Sequence, residues 1–203
     1  GVQTCALPIS PLWVHPEILV RHRGCEILSY ALAGTAPKHG PNAWTKEQLL
    51  TDKKNLFEHN IVRDRIVDIM KSITPEVIIG ETGIMELAHL YHLRTIITAK
   101  DSTKSLVEWA KLLHPTPALG GEPREKALAL LQKDEAHERG MYAAPFGFMK
   151  DMGDGIVIVA IRSALIMDNV LYAYAGCGVV ADSDADEEYA ETNNKMRTIL
   201  DAL

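Results

Sequence analysis

Three charged side chains near the C-terminus share one face of a predicted helix. Glu188, Glu191 and Lys195 stand at positions i, i+3 and i+7 of a segment whose apolar residues recur at helical spacing. Ile199 continues the same stripe, which indicates that this side faces the core. Glu191 lies two turns into the helix, where an inward carboxylate costs free energy unless it has a partner. A divalent cation is the natural partner, so the pattern predicts a metal site.

The acidic residues that open this helix also have a simpler explanation. Residues 183–187 are rich in Ser and Asp, the types that cap a helix N-terminus and interact favourably with its dipole. That explanation does not reach Glu191. Just upstream, Gly176 and Gly178 are typical of a turn, and beside a metal site they could also present backbone N–H groups to an anion. Residues 174–203 therefore predict a strand, a glycine turn, a second strand and a helix.

A second inward acid is predicted in the longest helical pattern of the chain. Residues 46–73 form that pattern, with a break or cap near Thr51 and Asp52. Glu58 lies at the head of its apolar stripe, whereas the neighbouring His59 points elsewhere and is expected to be structural. Glu58 could instead lie at the margin of the helix and reach solvent. The rest of the stripe consists of Val62, Ile66, Ile69 and Ile73.

An arginine interrupts the most apolar strand of the C-terminal half. Strands are predicted at 143–149, 155–166 and 170–175, joined by short turns into an antiparallel meander. Arg162 lies within the middle strand, and an arginine there needs an anionic partner. That partner could be a structural carboxylate or a bound ligand.

Two further polar residues lie on predicted strands of the N-terminal half. Residues 12–20 and 26–32 predict a hairpin, and Glu17 stands at the head of its first strand. A lone glutamate in that position is most often a surface residue. His92 lies within a strand predicted at 90–99, where a histidine is more often a core or edge residue than a ligand.

Composition restricts the class of protein and the kind of partner. The 203 residues are enough for one domain that buries roughly 70% of its unfolded surface. No apolar run approaches the ~20 residues of a membrane span, and a net charge of -6 argues against nucleic acid or an anionic membrane as partner. An anionic ligand would need local positive charges. The three cysteines are odd in number and widely spaced, which fits a reducing cytoplasm.

The first ten residues, GVQTCALPIS, differ in character from the rest of the chain. They lack an initiating Met, a basic region and the apolar stretch of a signal peptide, and they look like vector- or adapter-derived sequence. We therefore expect residues 1–10 to be non-native and residues 11–203 to form the C-terminal part of a larger domain.

Five ordered motifs together resemble a known family. LHPTPALGG, HERGMYAAPFGF, VAIRSALI, YAGCGVV and EEYAETNNK resemble the C-terminal half of the chorismate-utilising enzymes over residues 14–203. That family includes isochorismate, salicylate, anthranilate and aminodeoxychorismate synthases. The HPTPALGG form is similar to that of isochorismate synthases, and Ala118 stands where salicylate synthases usually have Thr. The resemblance is strongest to the menaquinone-type isochorismate synthases, although the product could also feed a siderophore.

The resemblance implies a role for particular residues. Glu58 and Glu191 match the family's magnesium ligands, with Glu188 close by and acting directly or through water. Glu17 matches the general acid, although His15 replaces the serine of that motif. The positions that match the family's substrate-binding residues are Leu32, Gly34, His92, Ala118, Tyr142, Arg162, Gly176, Gly178 and Lys195.

The resemblance also implies a fold, a cofactor and a reaction. The expected fold is α+β, a layered α/β/β/α arrangement of antiparallel sheets, truncated here at its N-terminus. The expected cofactor is Mg²⁺, the partner is chorismate, and the expected state is a cytoplasmic monomer. The family's water-activating lysine would fall before Gly1, so we expect the 203-residue chain alone not to turn over. A salicylate synthase and an inactive remnant are the alternatives.

Overall fold

The architecture comes from a computed structural model that describes residues 10–13, 17–167 and 170–201. The strands are β1 Ser10–Trp13, β2 Glu17–Arg23, β3 Glu26–Pro37, β4 Val77–Ile79, β5 Gly83–Glu86, β6 Leu90–Lys100, β7 Pro145–Met149, β8 Gly155–Val159, β9 Ser163–Met167 and β10 Val170–Tyr174. The helices are α1 Lys46–Thr51, α2 Lys53–Ile73, α3 Leu106–Leu113, α4 Pro117–Gly120, α5 Arg124–Asp134 and α6 Ala185–Leu200.

Two antiparallel sheets organise the chain. The larger has seven strands in the order β4-β6-β3-β2-β8-β7, with β5 also paired to β6, and the smaller has the order β1-β9-β10. Every strand pair in both sheets is antiparallel. The expected α+β class with antiparallel sheets is therefore confirmed.

The main core lies between helices α2 and α3 and one face of the larger sheet. Val62, Ile66 and Met70 of α2 are buried with Trp109 of α3. These side chains recur at the three- and four-residue spacing of one helix face, so burying them fixes which side of α2 meets the sheet. Residues of α2 that lie just N-terminal on the same face, including Glu58, are therefore directed toward the edge of the core.

The predicted break in the longest helical pattern is confirmed. Asp52 ends α1 and begins α2, and its carboxylate accepts a hydrogen bond from Asn55 N at 2.8 Å. The side chain thus satisfies a backbone donor at the start of α2 that no helical carbonyl can reach.

The single strand predicted at 155–166 is wrong. The chain leaves the larger sheet after Val159 and enters the smaller one at Ser163, so the segment forms two strands in two sheets. Arg162 lies at this crossing with a φ of 48°, a left-handed conformation outside the extended range of a regular strand. The second strand predicted after Gly178 is also absent, and residues 175–184 form an irregular loop that leads into α6.

Parts of two predictions fall outside the described residues. Residues 1–9 and His15 lie there, whereas Ser10 pairs with Ile166 in the smaller sheet. Among the helices that are described, none combines the length and apolar character that crossing a membrane requires.

Candidate active site

A cavity of about 510 Å³ collects most of the charged residues singled out from the sequence. Its lining comes from both sheets, from α2, α4, α5 and α6, and from the loop that leads into α6. The predicted site residues that line it are Glu17, Leu32, Glu58, His92, Ala118, Tyr142, Arg162, Gly176, Gly178 and Lys195.

Glu17 is a buried carboxyl group at the start of β2. Only 4% of the residue is exposed, so the expectation of a surface glutamate is wrong. Burial raises its pKa to about 7, although the positive charges of Arg162 and Lys195 act in the opposite direction. Near neutral pH this group can therefore carry a proton and give it up, which is what general acid catalysis requires.

Arg162 and His92 form a second buried group in the cavity. Arg162 Nη2 lies 3.1 Å from His92 Nε2, and His92 Nδ1 lies 3.0 Å from Thr35 Oγ1. A guanidinium can only donate, so Nε2 is the acceptor and the ring hydrogen is on Nδ1. Burial and the charges of Arg162 and Lys195 hold the pKa of His92 well below its usual value. The imidazole is therefore neutral, and it orients a cationic fork suited to a carboxylate.

Tyr142 is fixed in the cavity by its neighbours. Its ring stacks on that of Tyr174 at a centroid distance of 5.6 Å, and burial raises the pKa of its hydroxyl. The hydroxyl thus stays protonated and available as a donor. A Cβ on Gly176 would lie 2.9 Å from Tyr142 Oη, so glycine is needed for the loop to approach this close.

Glu58 lies between the glycine loop and β3. A Cβ added to Gly178 would lie 2.5 Å from Glu58 Oε1, and the backbone of Gly34 hydrogen-bonds the carboxylate. Burial and the negative charge of Glu191 raise the pKa of Glu58 to about 7, with Glu188 adding to the effect and Lys195 opposing it. The acids of α2 and α6 therefore lie within electrostatic reach of each other.

Both inward acids of α6 are paired with lysines. Lys195 Nζ contacts Glu191 Oε1 at 2.6 Å and donates to Gly176 O at 3.0 Å. Lys54 Nζ of α2 contacts Glu188 Oε1 at 2.7 Å, and Ser183 Oγ donates to the same oxygen at 2.6 Å. Burial of Glu188 raises its pKa, but these two donors outweigh it and the pKa is lowered.

The donor set fits a magnesium ion with few protein ligands. Mg²⁺ usually keeps several waters and binds one or two carboxylates together with oxygens of the substrate. Glu58 and Glu191 can supply those carboxylates, since the negative charge of Glu191 acts on Glu58, although Lys195 opposes it. Within the described part of the chain no cluster of three or more His, Cys, Asp or Glu residues could hold a metal ion. Because Glu188 Oε1 already accepts two hydrogen bonds, Glu188 fits a supporting position better than a direct one.

Some residues at the site were not singled out from the sequence. Thr35 and Tyr174 line the cavity; Thr35 follows Gly34 directly, and Tyr174 is the first residue of the YAGCGVV motif. Gly34, a predicted substrate-binding residue, is not among the described residues that line the cavity, and its backbone interacts with Glu58. Lys54 gave a weaker signal, since it stands one helical turn before Glu58.

A model of one protein family, described as chorismate binding enzyme, matches residues 14–203. The chain belongs to this family. The match covers every residue that lines the cavity, from Glu17 to Lys195.

Individual relatives agree with the family match. The chain is 38% identical over 197 residues to the salicylate biosynthesis isochorismate synthase of Pseudomonas aeruginosa, covering 95% of this chain and 41% of that protein. It is 38% identical over 194 residues to isochorismate synthase MenF of Bacillus subtilis, covering 93% of this chain and 41% of that protein. The chain thus spans less than half the length of these two relatives.

A solved structure shows the same fold. The crystal structure of a Bacillus anthracis protein assigned as a 2,3-dihydroxybenzoate-specific isochorismate synthase superimposes with a TM-score of 0.92 at 32% identity. The superposition covers all of this chain and 56% of the other.

Proposed function

We propose that this chain carries the acid and the anion-binding groups of an isochorismate synthase, which converts chorismate to isochorismate with the help of Mg²⁺. The observation that carries the proposal is Glu17, a buried carboxyl group with a pKa of about 7 in the same cavity as Arg162 and Lys195. A proton donor beside two cations suits a substrate that is an anion and that must lose a hydroxyl group.

The cations would bind the carboxylates of chorismate. Arg162 offers a planar pair of N–H donors, which neutral His92 holds in orientation. Lys195 adds a point charge beside Gly176, and the Tyr142 hydroxyl adds a neutral donor. Binding energy from these groups would fix the ring so that its hydroxyl lies near Glu17.

The reaction is an addition of water and a loss of water. A water molecule forms a new C–O bond at one ring carbon and loses a proton to a base. The C–O bond of the ring hydroxyl breaks after Glu17 protonates it, and the hydroxyl leaves as water. Atoms and charge balance, so the product is an isomer of the substrate.

The cation would be held by Glu58 and Glu191. When bound, Mg²⁺ supplies positive charge that allows two carboxylates to face a dianionic ligand. The residues of this chain then keep that charge in place: Gly34 hydrogen-bonds Glu58, and Lys195 must share Glu191 with the cation.

The test is product analysis on the gene expressed in full. Chorismate and Mg²⁺ are added, and isochorismate, salicylate and pyruvate are separated by chromatography. Isochorismate without pyruvate is expected, and it should disappear with EDTA and in Glu17→Gln. Salicylate together with pyruvate would support the salicylate synthase alternative instead. No chorismate-derived product, with Mg²⁺ present, would refute the proposal.

A further inference from the structure

The two helices that carry the proposed magnesium ligands are joined by an ion pair one turn away from those ligands. Lys54 precedes Glu58 by four residues on α2, and Glu188 precedes Glu191 by three residues on α6. Lys54 Nζ and Glu188 Oε1 are 2.7 Å apart, so the ion pair lies alongside the two acids that repel each other.

This ion pair is also the anchor of the N-terminal half of α6. Among the α6 side chains that the structure describes, only Glu188 and Ile199 are buried. Ile199, with no exposed surface, fixes the C-terminal end of the helix in the core. At the other end the buried group is a carboxylate, and its partners are Lys54 from α2 and Ser183 from the preceding loop. Helix α6 also contacts β3 and β10, but among its described side chains the one buried at this end is a carboxylate.

The pair is favourable enough to act as a fixed contact. The side chain of Lys54 is 27% exposed and that of Glu188 is 9% exposed, so solvent screens the pair less than a surface ion pair. Partial burial lowers the pKa of Lys54, but the hydrogen bond and charge of Glu188 outweigh it and raise that pKa. Both groups stay charged at neutral pH.

We propose that Lys54 is a positioning residue of the cation site: by binding Glu188 it holds α6 against α2 and keeps Glu191 opposite Glu58. The inference rests on the proposed role of Mg²⁺. It assigns Lys54 no contact with substrate or metal. The opposite possibility is that Lys54 competes with the cation for Glu188. The two possibilities predict opposite changes in cation affinity: removing Lys54 weakens cation binding if Lys54 positions α6, and tightens it if Lys54 competes.

The experiment measures Mg²⁺ affinity by calorimetry, and Mn²⁺ affinity by electron paramagnetic resonance, on the parent and four variants of the full-length protein. Lys54→Met should weaken binding by about tenfold, the lower end of the loss seen when groups that support metal ligands are removed. Lys54→Arg should bind as the parent does. The double variant Lys54→Met/Glu188→Gln, which leaves no unpaired charge, should lose as much cation affinity as Lys54→Met does. Lys53→Met is the matched control, since Lys53 is exposed and its removal changes the charge of α2 equally.

Hydrogen exchange of residues 185–200 provides a readout that needs no metal. Faster exchange in the N-terminal half of α6 is expected for Lys54→Met and for the double variant, but not for Lys54→Arg or Lys53→Met. If Lys54→Met does not fold, the double variant decides. Unchanged or tighter cation binding in Lys54→Met and in the double variant would overturn the role of Lys54. Failure of the parent itself to bind either cation would instead refute the proposed cation site and this role with it.

Discussion

At the scale of single residues, the cavity depends on two carboxyl groups whose proton affinity is raised by burial. Glu17 and Glu58 both have a pKa of about 7, but for different reasons. Glu17 is buried beside cations, which moderate the shift, whereas Glu58 is partly buried near a second acid, which adds to it. This difference in environment supports the proposed roles, proton transfer for Glu17 and cation binding for Glu58.

Glu17→Gln should reduce the rate of isochorismate formation by about 10²–10⁴-fold, the usual contribution of a positioned acid. In the parent, kcat/KM should fall tenfold per pH unit above about pH 7, because Glu17 loses its proton there. The matched control is Glu26→Gln on the same hairpin, whose side chain is 54% exposed. A parent pH profile that stays flat to pH 9 would contradict the role of Glu17.

The same group should make stability depend on pH. The pKa of Glu17 rises from 4.5 when unfolded to about 7 when folded, so the folded state binds the proton more tightly. Between these values stability falls as pH rises, by about 3 kcal/mol in total for this group. Glu17→Gln should therefore unfold at higher urea than the parent at pH 8 and at similar urea at pH 4.5. Equal urea midpoints at pH 8 would show that ionisation of Glu17 does not destabilise the folded state.

Gly178→Ala tests the close approach of the loop to Glu58. The added Cβ would lie 2.5 Å from Glu58 Oε1, so the carboxylate has to move. We expect Mg²⁺ affinity to fall by about tenfold or more while the fold is retained. Gly83→Ala is the control, because a Cβ there meets nothing within 4 Å. Equal cation affinity in the two variants would mean that Glu58 is not a ligand.

At the scale of elements, most helices and strands could be predicted because their signals are local. The break at Asp52 follows from a capping residue in an otherwise continuous helical pattern. The division of the strand at Arg162 could not be predicted, since IVIVAIRSALI is apolar except at Arg162 and Ser163 and contains no Gly or Pro to mark a change of sheet. That change depends on which strands are available as partners elsewhere in the chain.

The same distinction holds for the site. The inward acids of α2 and α6 could be predicted from helical spacing, because each shares a helix face with apolar residues, Val62 and Ile66 on α2 and Ile199 on α6. The burial of Glu17 could not, since it depends on cavity walls contributed by distant segments. The bond between Lys54 and Glu188 joins positions 134 residues apart, and no local pattern contains that information.

Asp52→Ala should lower the free energy of unfolding by about 1 kcal/mol, the usual cost of removing a helix cap. Asp52 accepts hydrogen bonds from the backbone and side-chain nitrogens of Asn55, whose Oδ1 in turn accepts from Thr35 N. The loss should thus also loosen the cavity wall at β3. Urea denaturation provides the measurement, and Asp68→Ala, on the exposed side of α2, should change little.

At the scale of the whole molecule, the larger sheet has an apolar edge strand, β7. The chain itself spans 41% of the length of two curated relatives. Strand β7 pairs with β8 alone in the described sheet, and its Phe148 and Met149 are 62% and 53% exposed. An apolar edge strand of this kind is a template for association with another strand.

We expect the 203-residue chain to self-associate as its concentration rises, in contrast to the monomer expected from the sequence. Sedimentation velocity would detect this, and Phe148→Lys should suppress it by placing a charge on the edge. Val107→Lys is the control, because Val107 is 48% exposed but lies on α3. Association that both variants reduce equally would reflect general charge and not the edge strand.

The crossing at Arg162 has a mechanical consequence. The guanidinium that would bind a substrate carboxylate belongs to Arg162, which lies in the short link between the two sheets. The backbone of Arg162 has a left-handed conformation. A ligand bound to Arg162 would link the two sheets. A ligand concentration of a hundred times the dissociation constant would add about 2.7 kcal/mol to the free energy of unfolding. The bound ligand should mainly oppose motions that separate β8 from β9.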